Sequence, residues 1–421
     1  DGFCIRRSED DTGILYHHRR QWDDGELLFL VNTSIEAPAS GKIESPAQSI
    51  QKWNPEDGTI GIYAFQTAQA GITADFSLPP CGSLLLFLSK KPATSAQPLT
   101  EKSTSIPAVA ATTIRRLQPN VLTLDYVDIT AGSETRQNIY FYQANRFAFQ
   151  KNGLPQNPWD SSVQFRDELI KTTFPPDSGF EASYSFTLAE KIPQPLMIVI
   201  ERPDLYQITC NGQPVTATPG QWWLDKSFGK IDITTAARLG KNTVTIQAAP
   251  MTIYHELEPA YLLGDFALKS LDSGFAVVPD HPLKMDNTGW NQQGHPFYAD
   301  GFSYSQPFDI HQPAGRFCVQ LSKWYGSVAR VKVNGKTVGY IHAQPWQCDI
   351  TQWIQTGTNI IDVEVVGTLK NTLGPHHGNP PLGSAWPGMF QNGPASPPLG
   401  HQYHTVRYGL FEPFELVQYL P

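Results

Sequence analysis

The sequence predicts an all-β chain of three sandwich units, and three observations carry that prediction. Gly and Pro number 33 and 35 while charged residues make up only 17% of the chain, a turn-rich composition that favours short strands. Apolar residues alternate in twos, as Val331, Val333 and Val338 do, and stripes with a helical period are scarce. One pattern occurs twice: strand, Asn-Gly turn, strand, Asp-Ile-Thr corner, Gly-x-Asn turn, strand. The second and third units are therefore read as copies of one domain. At 421 residues the chain also exceeds what one hydrophobic core ordinarily organises.

The first unit spans residues 1–93. Leu15–Arg20 and Glu26–Asn32 read as strands joined across Trp22-Asp23-Asp24-Gly25, a turn sequence. Strands follow at Gly41–Glu44 and Ile60–Tyr63, with Trp53–Gly58 turning between them, and Gly82–Leu88 closes a small antiparallel sandwich. Residues 94–113, rich in Pro, Ala, Ser and Thr, read as a linker.

The second unit, 114–272, holds the first copy of the pattern: Tyr206–Val215 with Asn211-Gly212, then Asp232-Ile233-Thr234, Gly240-Lys241-Asn242 and Val244–Ile246. Asn138–Phe149 reads as strand or short helix, and Asn157–Phe165 as a loop insertion. The third unit, 273–421, repeats the pattern at Val331–Tyr340 with Asn334-Gly335, Asp349-Ile350-Thr351, Gly357-Thr358-Asn359 and Ile360–Val365. The Asn-Gly pair suits a two-residue hairpin because both positions tolerate positive φ. A long Gly-, Pro- and aromatic-rich insertion, 371–405, interrupts this unit, and loops of that length are commonly functional or pack on a neighbour.

A net charge of −8 gives no electrostatic reason to bind nucleic acid or anionic membrane. No apolar run approaches a membrane span, and none of these residues reads as a signal peptide. The chain begins at Asp1, which reads as a processed product or a fragment. Cys4, Cys81, Cys210, Cys318 and Cys348 are dispersed without metal spacing and read as buried thiols, with a Cys318–Cys348 pair as the alternative.

The repeated element resembles the galactose-binding-like jelly roll found in family 2 glycoside hydrolases. A closer resemblance is to the C-terminal modules of family 106-type α-L-rhamnosidases, carried by His18-Arg19-Arg20, Leu28–Asn32, Trp53–Gly58, Asn157–Asp160, Glu201-Arg202-Pro203 and Asn371–His377. In that family these segments resemble modules that follow a catalytic (β/α)₈ barrel. The resemblance implies an accessory, carbohydrate-associated region, a barrel expected upstream, a carbohydrate partner, and a periplasmic or secreted location. It carries no catalytic residue onto this chain, which has no run of alternating strands and helices from which to build a barrel. The alternative is a stand-alone lectin-like or adhesion protein.

Candidate residues follow from side-chain chemistry. Flat aromatic rings stack on the C–H face of a pyranose while polar neighbours take its hydroxyls. Trp290, after the polar turn Asp286–Gly289, and Trp386 and Tyr403 in the insertion are the aromatic candidates; Trp346, beside the Asp-Ile-Thr corner, reads as core. His376 and His377, with His401 and His404, form the one histidine concentration. They lack the i, i+4 spacing or cysteine partner of a zinc site, so they read as a hydrogen-bonded loop able to touch sugar. No cofactor is required. The jelly-roll resemblance implies at most a structural Ca²⁺ near Asp265 or Glu412, which precede the closing strand in each copy.

Overall fold

The computed structural model describes residues 2–55, 58–95, 102–160, 166–378 and 387–420. Among them the molecule is built of antiparallel sheets stacked in pairs, all-β as the composition predicts, and no helix is long and apolar enough to cross a membrane.

The first sandwich packs a five-stranded sheet, ordered Leu15–Trp22, Gly25–Asn32, Ser83–Ser89, Ser49–Trp53, Ile60–Ile62, on a four-stranded one containing Ala39–Ser45 and Gly71–Leu78. Their inward residues, among them Leu28, Leu30, Ile43, Phe76 and Leu86, form one core, as period-two alternation requires.

In the second sandwich one sheet runs Asn120–Leu124, Ala260–Gly264, Leu196–Glu201, Asp225–Asp232, Ala217–Trp223. Its partner sheet is centred on Phe180–Leu188, flanked by Tyr126–Ala131 and Gly240–Ala248. The segment read as strand or helix is both: the strand Glu134–Tyr140 gives way to the helix Phe141–Lys151. Phe141, Ala144, Asn145 and Ala148 are buried on that helix at helical spacing. Asn152 ends it, its Nδ2 donating to the Ala148 carbonyl at 2.8 Å.

The third sandwich corrects the expected boundaries. Lys102–Ile106 pairs with Glu415–Leu420 in one of its sheets, and Thr113–Arg116 pairs with Phe302–Ile310 in the other. Residues 102–116 are thus strands of the third sandwich, not a linker, and the second sandwich is inserted between them and the rest. The Lys-Ser-Thr-Ser-Ile strand is an edge, exposed on both faces, so it carries no alternating apolar signature.

The duplicated pattern is a hydrogen-bond device. Asn211 and Asn334 sit at φ 52° and 50°, followed by Gly212 and Gly335 at 80° and 81°, the geometry of a type I′ turn. Behind each turn lies a fully buried asparagine, Asn242 or Asn359. Asn242 Oδ1 accepts from the Arg238 N–H at 2.8 Å and its Nδ2 donates to the Arg238 carbonyl at 2.7 Å; Asn359 does the same with Gln355 at 3.0 and 2.7 Å. Cys318 and Cys348 lie on adjacent strands as thiols, and burial pushes Cys348 up to about 11.

Candidate functional site

The outer face of the Phe180–Leu188 strand presents Ser183, Ser185 and Thr187, while Ala182, Tyr184, Phe186 and Leu188 point into the core. This short-chained polar strip forms the floor of a cleft of about 490 Å³. Asp128 and Asn138 line one side and Lys241 extends the floor. Asp128 sits where the register of its strand shifts between Val127 and Ile129, and such a bulge re-aims side chains. Asn138 takes a left-handed φ of 53°, and its N–H donates to Asp128 Oδ1 at 2.8 Å.

The other side of the cleft belongs to the turn Leu271–Phe275 and, from the third sandwich's insertion, to Pro397 and Tyr403. That turn links two strands, of which Phe275–Val278 runs parallel to Phe180–Leu188. Insertion and turn are stitched together: Gly274 N–H donates to the Pro398 carbonyl at 2.9 Å and Ser273 Oγ to the Pro397 carbonyl at 3.2 Å. Tyr403 packs on Phe275 at 5.3 Å between ring centroids.

Beneath this wall His376 and Asp125 meet, Nε2 to Oδ2 at 2.6 Å, with side chains only 2% and 6% exposed. The imidazole stands edge-on to Tyr126 and Tyr140, each 5.7 Å away, and tilted against Tyr403 at 5.1 Å. Among the described residues His376 Nδ1 has no hydrogen-bond partner. A carboxylate–histidine pair has the composition of an acid–base couple, but one enclosed by three tyrosine rings acts as a clasp holding the insertion on the second sandwich. Nearby, Gly393 lies so close to Tyr140 that a Cβ there would fall 2.7 Å from its ring, so the insertion's contact needs glycine. Burial raises the Tyr140 and Tyr403 phenols well above the usual range, with Asp125 adding to each.

Several expected site residues are placed elsewhere. Trp290 is 1% exposed, packed between Tyr298, Phe302 and Tyr408, and its Nε1 donates to the Tyr298 carbonyl at 3.1 Å. It is a core residue, not a stacking platform, because a sugar would have to displace the third core to reach it. Trp386 lies outside the described residues. His377 stands against Phe390 at 5.0 Å; burial and the neighbouring His376 lower its pKa. Among the described candidates, Tyr403 lines the cleft and His376 packs against it from beneath.

The two carboxylates named as calcium candidates each have a protein partner. Asp265 Oδ1 accepts from Arg116 Nη2 at 2.7 Å, and Glu412 is held by Lys323 at 2.9 Å and by the Ser322 hydroxyl. These carboxylates neutralise cations, and among the described residues no three His, Cys, Asp or Glu side chains converge as metal ligands. Trp346 packs against the third core and against Trp324, as read.

A grouping absent from the sequence reading lies among loops of the second sandwich. Burial, with like charge adding to it, raises three carboxyls: Glu256 acts on Glu201, Asp160 on Glu256, and Glu201, Glu256 and Asp160 together on Glu258. Burial first, then the neighbouring acids, pushes Glu258 up to about 8. Trp159 and Tyr254 stack beside them at 6.3 Å. The resemblance motifs Asn157–Asp160 and Glu201–Pro203 thus meet in space, a proximity that no sequence period signals.

No protein-family model and no curated protein sequence matches the chain. Solved structures similar to it include a rhamnosidase from Novosphingobium sp. PP1Y, 12% identical with a TM-score of 0.46 over 99% of this chain and 25% of that one. Others are a Streptomyces avermitilis α-L-rhamnosidase complexed with L-rhamnose (11%, TM-score 0.27, 86% and 36%) and a β-D-mannosidase from Dictyoglomus thermophilum (11%, 0.23, 62% and 32%). The chain spans between about a quarter and just over a third of the length of these three proteins.

Proposed function

We propose that this chain is the carbohydrate-associated β-sandwich region of an α-L-rhamnosidase-like glycoside hydrolase, working beside a catalytic (β/α)₈ barrel that it does not itself contain. In this reading the region is periplasmic or secreted, supports the barrel, and holds saccharide in the cleft of the second sandwich. The observation that carries the reading is the lining of that cleft: hydroxyls from Ser183, Ser185 and Thr187, the Asn138 amide, the Asp128 carboxylate and the Lys241 ammonium, with Tyr403 and Phe275 at one wall. Convergent small donors and acceptors beside aromatic rings suit a ligand that is polar at its hydroxyls and apolar on its C–H faces.

Calorimetric titration with rhamnose-containing oligosaccharides tests it. Ser185 is exposed on the cleft floor, so Ser185→Trp fills the cleft without disturbing a core, and affinity should fall at least about tenfold, roughly 1.4 kcal/mol. Equal affinity in wild type and variant would remove the cleft as the binding site. The purified chain should release no aryl group from aryl rhamnosides; turnover would contradict the placement of catalysis outside it.

A further inference from the structure

Gln306 stands at an inward-facing position of a core strand. The strand Phe302–Ile310 sends Phe302, Tyr304, Phe308 and Ile310 into the third core, and period-two alternation places residue 306 on that same face. Gln306 is 4% exposed. Its Nε2 donates to Thr112 Oγ1 at 2.8 Å, while its Oε1 has no hydrogen-bond partner among the described residues. A buried amide oxygen left in this way costs about as much as a lost hydrogen bond, and an apolar side chain would fill an inward position at no such cost.

Gln306 also lines a groove of about 620 Å³, within the roughly 300–1,000 Å³ typical of small-molecule sites. The groove lies where residues 107–112 cross from one sheet of the third sandwich to the other. Its walls are apolar, set by Ile106, Ile114, Leu283, Met285, Phe308 and Phe414. Glu415 is the one charged side chain among its described lining residues.

We infer that this groove binds a small molecule with an apolar, ring-sized body and one hydroxyl or N–H donor, the donor directed at Gln306 Oε1. The body leaves water for aliphatic and phenyl walls, and the donor satisfies the orphaned acceptor. An anionic ligand would face Glu415 and a carbonyl oxygen. A saccharide would bury hydroxyls against hydrocarbon, so the site differs in chemistry from the polar cleft of the second sandwich. A water molecule could satisfy Oε1, but it would leave the apolar walls uncovered.

The full chain is titrated with 2-naphthol and with 2-methoxynaphthalene, which keeps the ring body and removes the donor, using naphthalene fluorescence as the readout. 2-Naphthol should bind about 5–10-fold more tightly, the discrimination of one neutral hydrogen bond. Gln306→Leu should abolish that preference while retaining the methoxy compound. Ala110→Trp, at an exposed lining position, should block both. Binding of neither probe, the result if water alone occupies the site, overturns the inference; so does equal binding of the two by wild type, or a preference that survives Gln306→Leu. Should Gln306→Leu fail to fold, the two-probe comparison on wild type and Ala110→Trp still decides.

Discussion

Glu258 holds its proton to about pH 8, first because it is buried and then because Glu201, Glu256 and Asp160 crowd it with like charge. An unfolded glutamate titrates near 4.5. Between those two values the folded state binds the proton more tightly, so folding grows less favourable as pH rises through the window. Glu258→Gln keeps the shape and cannot ionise. Urea unfolding at pH 5 and pH 9 should show the variant losing less stability between the two than wild type; equal losses would rule out Glu258 as the source. Trp290 shows the reverse limit of reading residues one at a time. The turn before it is polar in sequence, yet Asp286 Oδ1 is occupied locally by the Thr288 N–H at 2.8 Å. Gly289, at φ 71°, passes so near the Tyr408 carbonyl that a Cβ would lie 2.8 Å from it, and the chain turns inward. Nothing in Asp-Asn-Thr-Gly distinguishes that path from an exposed one.

At the scale of elements, the repeated turn was legible because everything it needs is close in sequence: two residues tolerant of positive φ, an Asx corner, and an asparagine on the returning strand. In the corner, Asp232 Oδ1 accepts the Thr234 N–H at 2.8 Å and Asp349 Oδ1 the Thr351 N–H at 2.9 Å. The returning asparagines bear the load. Asn242→Ala and Asn359→Ala each strip partners from buried backbone groups and should cost about 1–3 kcal/mol in chemical denaturation. Because they sit in different sandwiches, their effects should add to within about 0.5 kcal/mol in the double variant; a loss confined to one copy would show the repeat to be structural in only that one. The cleft was not legible. Its floor is a set of small polar residues that any solvent-facing strand might carry, and its wall arrives from an insertion more than a hundred residues later, through contacts such as Gly274 with Pro398. The strand Lys102–Ile106 escaped for a related reason: it is polar on both faces, so only its pairing partner identifies it.

At the scale of the whole molecule, Arg116 ties the sandwiches together. It is 9% exposed and reaches Asp265 at 2.7 Å and Asp280 at 2.6 Å, with His295 Nε2 at 3.1 Å. Asn120 adds bonds to the Phe266 and Gly294 carbonyls at 2.8 and 3.0 Å. Against the opposing effect of desolvation, the His295 hydrogen bond and the Arg116 charge hold Asp280 below the usual carboxylate range. That contribution is present above the unfolded value of about 3.9 and is lost as pH falls through the lower folded value. Arg116→Ala should therefore lower the melting temperature at pH 7, lose less on acidification below about pH 4 than wild type, and open the segment between Asp265 and Asp280 to limited proteolysis. An unchanged cleavage pattern would show that other contacts suffice to hold the units. The insertion of one sandwich within another has a consequence for the order in which the protein is made. Lys102–Ile106 leaves the ribosome well before its partner Glu415–Leu420, which lies more than three hundred residues downstream, so this strand must wait through synthesis of the whole second sandwich and most of the third. A waiting strand with an apolar face would invite pairing with other nascent chains. The Lys-Ser-Thr-Ser run, exposed along its length even after assembly, offers such chains a backbone edge with almost no apolar surface to bury.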